Sequence, residues 1–197
     1  MNRAAVFLAA VMTLIGTFYA ARYFDELVTH ENTLPVIETL GGDFALPATS
    51  GGTVSLQQFR GRVVLLNFGF TSCPDVCPTV LARMRRLLLG LGDAISDVQP
   101  LFVTIDPARD TLDVLKPYLE HFHPAFIGLG GSEQQIRAAA DLFKVYYARD
   151  DATGASYGFT HSDRIYLIDR QGRVRATFAN STTDDEMLAA VRLLLAE

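Results

Sequence analysis

The sequence predicts an α/β protein, a mixed central sheet with helices on both faces, preceded by an N-terminal transmembrane helix. Two observations carry this prediction. Apolar strand-like runs alternate with helical segments before a late hairpin, and an uncharged apolar run stands near the start. The length of 197 residues allows one ordinary domain with an appendage. The net charge of −5 argues against a nucleic-acid-binding surface, which needs a basic face.

The apolar run covers residues 4–21, contains no charge, and is flanked by Arg3 and Arg22. Fifteen of its 18 residues are apolar. A helix of this length spans about 27 Å, close to the thickness of a hydrocarbon core. Phe18 and Tyr19 place bulky residues where a signal-peptide cleavage site needs small ones. An uncleaved anchor is therefore favoured over a cleaved signal peptide or a buried core helix.

The flanking charges favour an N-terminus inside the cell, which makes the chain a single-pass protein of the cell (inner) membrane. The soluble part then lies on the extracytoplasmic, or periplasmic, side, where the environment is oxidising. Residues 1–22 are predicted to form the signal anchor, residues 23–40 a tether, and residues 41–197 the globular domain.

The globular domain begins with a predicted hairpin, because strand-like residues at 44–46 and 53–55 flank a Ser-Gly-Gly turn. Further strands are predicted at 63–68, 98–105, 125–129, 164–169 and 173–178. Helices are predicted at 79–91, 112–122, 133–143 and 184–196.

The run 63–68 is apolar almost throughout, which is typical of a strand buried on both faces. Ligands of α/β proteins bind beyond the carboxyl ends of the central strands. Cys73 and Cys77 follow this strand directly, and they are the two cysteines of the chain. They are therefore the first candidate functional residues.

Each cysteine precedes a proline, which disfavours helical backbone at the cysteine itself. Pro78 suits the first position of a helix, so Cys77 is expected at a helix entrance, where the dipole favours a thiolate. A structural disulfide between Cys73 and Cys77 would close a very short loop and add little stability. A metal site and a redox-active dithiol both remain open on this spacing.

A soft cation such as Cu(I) is well served by two thiolates and an imidazole, and the chain has four histidines. His30 lies in the predicted tether. His121 and His123 stand near the end of a predicted helix, where surface histidines are common. His161 lies in the predicted loop before strand 164–169, close to the cysteine segment, and is the preferred third ligand.

The chain lacks the sequence patterns of two well-known classes of cysteine-dependent enzyme. Thioredoxin-like oxidoreductases carry a proline just before the late strand, whereas Pro124 is the last proline of this chain. Their cysteines are also separated by two residues, whereas three residues separate Cys73 from Cys77. The peroxiredoxin pattern fails too, because Phe70 and Pro74 occupy the positions where that pattern has Pro and Thr relative to Cys77.

Three blocks of the chain carry a resemblance to a known family. They read Asn-Phe-Gly-Phe-Thr-Ser-Cys-Pro-Asp-Val-Cys-Pro at 67–78, Val-Thr-Ile-Asp-Pro-Ala-Arg-Asp-Thr at 103–111, and Thr-His-Ser at 160–162 before Ile-Tyr-Leu-Ile-Asp. In order and spacing they resemble the Sco/SenC family of copper-binding, thioredoxin-fold assembly factors. Thr160 departs from the acid found in many members, and Leu112 from a proline.

The resemblance implies a thioredoxin-like fold and one copper ion, as Cu(I) or Cu(II), bound by Cys73, Cys77 and His161. The protein would be a metallochaperone for the dinuclear copper site of cytochrome c oxidase, with the copper-site subunit as its partner. Another copper chaperone or a thioredoxin-like reductant would be a further partner. The alternatives are a membrane-anchored thiol-disulfide oxidoreductase acting through Cys73 and Cys77, which alone would make it an enzyme, and a copper or redox sensor.

Three aspartates near these blocks are weaker candidates for the site. Asp106 and Asp110 are explained by turn and helix-cap chemistry, with Asp110 standing before Thr111 at the start of the second helix. Asp75 either tunes the electrostatics of the cysteine segment or shapes its Cys-Pro-Asp turn.

Overall fold

The computed structural model describes residues 11–23, 33–150 and 157–197. The chain divides into two units, Met1–Thr33 and Leu34–Glu197. In the first unit, residues 11–23 are helical. Among the described residues, no helix combines the length and the apolar character needed to cross a membrane. Residues 4–10 of the predicted span lie outside the described residues, and the transmembrane helix stays a prediction.

The second unit carries nine strands and four α-helices within its described residues. The strands are β1 (Ala45–Pro47), β2 (Thr53–Ser55), β3 (Val63–Gly69), β4 (Val98–Thr104), β5 (Ile127–Leu129), β6 (Tyr147–Arg149), β7 (Phe159–His161), β8 (Ile165–Ile168) and β9 (Val174–Phe178). The helices are α1 (Val76–Gly90), α2 (Leu112–Phe122), α3 (Glu133–Leu142) and α4 (Asp184–Ala196). Two short 3-10 helices, Leu56–Phe59 and Gly92–Asp97, complete the unit.

The central sheet has five strands in the order β5-β4-β3-β8-β9. β3 pairs in parallel with β4, and β4 pairs in parallel with β5. β8 pairs antiparallel with both β3 and β9. The predicted mixed sheet is therefore confirmed, with β3 at its centre.

Helices cover both faces of this sheet because successive side chains of a strand point to opposite sides. All seven residues of β3 are buried. Leu66 and Phe68 belong to a core that α3 and the β1–β2 hairpin cover, while Leu65 belongs to a second core under α1, α2 and α4. The near-continuous apolar run of β3 follows from this double burial.

The sequence analysis missed the small sheet formed by β6 and β7. These strands pair antiparallel, with Tyr147 opposite His161 and Arg149 opposite Phe159. Each strand has only three residues, which is too short to show a periodic pattern. His161, expected in a loop, therefore lies on a strand.

Residues 34–40, assigned to the tether by sequence, belong to the second unit. The Ile37 backbone N–H donates to the Val174 oxygen at 2.8 Å, and the Leu34 oxygen accepts from Arg175 Nε at 2.8 Å. The compact unit accordingly begins at Leu34, whereas the sequence analysis places the domain start at residue 41.

A buried ion network joins Glu197 to β9, the edge strand of the central sheet. Arg175 is 5% exposed and pairs with Asp169 at 3.1 Å and with Glu197 at 2.6 Å. Burial alone would raise the pKa of Asp169, but hydrogen bonds from Arg173 and Arg175 outweigh it and hold that pKa below its usual value.

Because the folded-state pKa of Asp169 is lowered, its ionisation stabilises the fold above its unfolded pKa. This contribution is lost as the pH falls through the folded pKa. We expect Asp169→Asn to be less stable than the wild type at neutral pH, with the gap closing as the pH falls below the usual pKa of an aspartate. Urea unfolding of both proteins across this range checks the expectation, and a gap that did not change with pH would contradict it.

Candidate metal centre

The segment that carries both cysteines leaves the carboxyl end of β3. We call residues 70–75 the cysteine loop. It turns through a hydrogen bond from the Cys73 N–H to the Phe70 oxygen at 3.3 Å, and α1 then begins at Val76. The predicted helix start at residue 79 is wrong. Pro78 occupies the third helical position, where its missing N–H leaves nothing unsatisfied because the first four N–H groups of a helix have no partner within it.

The two sulfurs differ in exposure. Cys77 is 1% exposed, Cys73 is half-buried, and both thiols are free. The Cys77 N–H points at Cys73 Sγ across 3.5 Å, so the sulfur stands where a capping oxygen usually lies. Asp75 occupies the N-cap position of α1, but its side chain makes no hydrogen bond to the helix.

Burial controls the ionisation of Cys77. Burial raises the pKa of the Cys77 thiol well above its usual value, and a hydrogen bond from the Phe70 backbone only partly opposes it. The expectation that the helix entrance favours a thiolate at Cys77 is therefore wrong for the metal-free protein, because desolvation has the largest effect on this pKa.

Gly69, the last residue of β3, makes room for the buried sulfur. A Cβ at this position would lie 2.8 Å from Cys77 Sγ and 3.0 Å from the Phe102 ring. Real Cβ atoms do not approach a sulfur this closely, so any larger residue at this position would have to displace the Cys77 side chain.

His161 reaches the cysteines from the β6–β7 hairpin. Its Nδ1 lies 2.8 Å from the Ser162 backbone oxygen. A carbonyl only accepts, so this contact is a hydrogen bond in the tautomer with the proton on Nδ1, which leaves Nε2 as an acceptor. Nε2 lies 3.5 Å from Cys77 Sγ. The ring also meets Phe70 edge-on, with centroids 5.7 Å apart.

The three residues that the sequence analysis selected thus come together. Cys73 Sγ, Cys77 Sγ and a ring nitrogen of His161 lie within 4.8 Å of one another. Metal-bound histidines usually donate their other ring N–H to a carbonyl or carboxylate, and the Ser162 oxygen supplies that partner here. Thr160, which precedes His161, donates its hydroxyl to Asp150 Oδ1 at 3.1 Å.

His121 and His123 stand apart from this cluster. His123 Nδ1 accepts from the Ala125 N–H at 3.2 Å, and burial lowers the pKa of His123. The His121 ring contacts Phe122 with centroids 5.6 Å apart. His30 lies outside the described residues.

Asp110 holds the cysteine loop in place. It is 2% exposed and accepts hydrogen bonds from the Thr71 N–H at 2.9 Å, the Thr71 hydroxyl at 2.5 Å and the Thr104 hydroxyl at 2.7 Å. The cap of α2 is Thr111 instead, so the predicted helix-cap role of Asp110 is wrong. Sequence offered no sign of this long-range contact beyond the presence of Asp110 in the second block.

Asp106 is also buried, and it faces the hairpin that carries His161. It forms an ion pair with Arg109 and accepts from the Tyr157 hydroxyl at 2.9 Å. The turn role expected for Asp106 is present as well, because the N–H groups of Arg109 and Asp110 donate to its backbone oxygen.

Comparison with known proteins gives one consistent result. The SCO1/SenC family model matches residues 34–196. A SCO2-like protein of Rickettsia felis is 45% identical over 151 residues, covering 76% of this chain and 74% of that protein.

Two similar solved structures, both described with copper bound, are ScoI proteins. That of Arabidopsis thaliana has a TM-score of 0.74 and 30% identity, covering 80% of this chain and 99% of the other. That of Bradyrhizobium japonicum has a TM-score of 0.71 and 35% identity, covering 78% of this chain and 97% of the other.

The close approach at Gly69 yields a direct test. We expect Gly69→Ala to displace the Cys77 sulfur and to lower the free energy of unfolding by about 1–3 kcal/mol, as overpacking of a core does. Urea unfolding and the rate of Cys77 alkylation check this. Gly90→Ala is the matched control, because an added Cβ there meets only the end of the Leu188 side chain, at 3.3 Å. Equal effects of the two substitutions would contradict the expectation.

Proposed function

The chain belongs to the SCO1/SenC family, and from this premise we propose that it is a copper metallochaperone. Cys73, Cys77 and His161 bind one copper ion, which the protein delivers to the dinuclear copper site of cytochrome c oxidase. Copper is the cargo in this proposal. The observation that carries the proposal is the convergence of two sulfurs and one imidazole nitrogen within 4.8 Å.

The donor set fits copper on chemical grounds. Thiolates are soft ligands that select Cu(I), and imidazole binds copper in either oxidation state. The His161 ring already presents an acceptor nitrogen toward the Cys77 sulfur at 3.5 Å. A thiol must lose its proton to bind a metal as a thiolate, so copper binding should release protons.

The difference in exposure between the two sulfurs suits transfer to a partner. A cavity of about 600 Å³ opens beside half-buried Cys73 and is bordered by Phe70, Pro74, Tyr157 and Phe159. Cys77 is buried and does not line this cavity. A ligand of the copper-site subunit would therefore first exchange with Cys73, which leaves Cys77 and His161 holding the ion until transfer is complete.

The proposal favours copper transfer over thiol-disulfide exchange. A dithiol reductase would use Cys73 and Cys77 but would not need a histidine nitrogen aimed at one of them. Among the described residues, no peptide bond is cis, so the proline device of thioredoxin-like oxidoreductases is not found there.

Location and partners complete the proposal. The apolar run at residues 4–21 would anchor the domain on the periplasmic side of the inner membrane, where the oxidase subunit is accessible. Another copper chaperone would load the site, or a thioredoxin-like protein would keep its cysteines reduced.

Anaerobic copper titration tests the ligand assignment. We expect one equivalent of copper per wild-type chain, and a loss of Cu(II) affinity of more than about tenfold in His161→Ala, because a ligand is removed. His123→Ala is the matched control, since that ring lies outside the cluster.

Equal affinity in the wild type and His161→Ala would overturn the ligand assignment. Reduction of an oxidised copper-site peptide by the dithiol form separates the two functions. If the wild type reduced the peptide without delivering copper to it, and Cys73→Ser lost that reduction, the reductase would be the better description.

A further inference from the structure

The segment between β4 and α2 contacts both parts of the chain that supply the three ligands. We propose that Arg109 and Tyr157 are positioning residues, which hold His161 at ligand distance from the cysteines. The proposal rests on the proposed ligand set. It explains why the His161 side chain lies close enough to the cysteines to belong to that set.

Arg109 and Tyr157 meet Asp106 in a cluster that we call the clasp. Arg109 forms an ion pair with buried Asp106, and Arg109 Nη1 donates to the Tyr157 backbone oxygen at 3.0 Å. The Tyr157 hydroxyl donates to Asp106 Oδ1 at 2.9 Å. The Arg109 guanidinium also lies 3.8 Å from the centroid of the Tyr157 ring. Backbone, hydroxyl and ring of one residue are thus all held by the same segment.

The hairpin needs such an attachment because β6 and β7 form a two-stranded sheet of their own. Two-stranded sheets are marginally stable by themselves. Among the described residues, side chains make the hydrogen bonds and ring contacts that join the hairpin to the cysteine loop and to the β4–α2 segment. The Phe70 and Phe159 rings, with centroids 5.4 Å apart, provide the apolar part of this contact.

The clasp and Asp110 attach both ligand-bearing parts of the chain to one short segment. Asp110 holds Thr71 of the cysteine loop, while Asp106 and Arg109 hold Tyr157 of the hairpin. Only three residues separate Asp106 from Asp110. Movement of the hairpin relative to the cysteines therefore requires the clasp contacts to break, and His161 moves with the hairpin.

A second arginine offers a matched control. The Arg149 guanidinium lies 3.7 Å from the centroid of the same Tyr157 ring, nearly the distance found for Arg109. Arg149 belongs to β6, in the hairpin itself. Its stacking therefore does not attach the hairpin to the rest of the domain.

The test compares Arg109→Gln with Arg149→Gln in the full-length protein. The copper-free readout is hydrogen exchange of the Tyr146 and Ser162 amides, which bond across the hairpin. The second readout is the Cu(II) electron paramagnetic resonance spectrum, in which an imidazole ligand gives nitrogen hyperfine splitting. A change in general stability would not by itself remove that splitting.

We expect Arg109→Gln to speed exchange of these amides by about tenfold and to weaken or abolish the nitrogen splitting while copper stays on sulfur. A tenfold change corresponds to about 1.4 kcal/mol of lost protection. Arg149→Gln should leave both readouts near the wild-type values. Unchanged spectra and exchange in Arg109→Gln, or equal changes in both variants, would overturn the proposal.

If Arg109→Gln does not fold, Tyr157→Leu tests the proposal instead, because it leaves the ion pair between Asp106 and Arg109 intact. It should give the same loss of nitrogen splitting, and a wild-type spectrum would overturn the proposal. A wild-type protein that bound no copper would refute the proposed function instead. The hydrogen-exchange comparison would then still decide whether the clasp holds the hairpin.

Discussion

The antiparallel pairing of β8 against β3 is the constraint on which the site depends. Asn67 near the end of β3 lies opposite Ile165 at the start of β8. The chain therefore enters β8 at the same edge of the sheet where it leaves β3. His161 precedes that entry and the cysteines follow that exit, so residues 84 positions apart meet at 3.5 Å. A parallel pairing would put the histidine at the opposite edge.

Buried polar groups then fix the geometry within that edge. Asp110 fastens the cysteine loop, and Asp106 with Arg109 fastens the histidine hairpin. Buried carboxylates are costly unless they are hydrogen-bonded, so their full complement of donors makes each arrangement hard to rearrange. The helix start at Val76 adds a backbone N–H that faces the Cys73 sulfur. The three proposed ligands thereby lie close together without a metal, which would reduce the cost of ordering them on binding.

Local sequence signals were sufficient for the central sheet and for the ligand candidates. The near-continuous apolar run of β3 predicted a strand buried on both faces. Ligands of α/β proteins bind in the loops that follow such central strands, and the cysteines lie in that loop. Local sequence patterns did not predict contacts between residues that are far apart in the chain. The contact between Asp110 and Thr71 spans 39 positions, and β6 and β7 owe their pairing to neighbours rather than to their own pattern. The Cys77 thiol was misjudged for the same reason, because its burial depends on how the whole core closes around it.

X-ray absorption at the copper edge of the loaded wild-type protein tests the central claim most directly, since it counts the atoms bound to the ion. The account predicts two sulfur neighbours and one imidazole nitrogen per copper, with the nitrogen shell absent in His161→Ala and retained in His123→Ala. A copper ion surrounded by nitrogen and oxygen alone, or an identical spectrum in the wild type and His161→Ala, would contradict it.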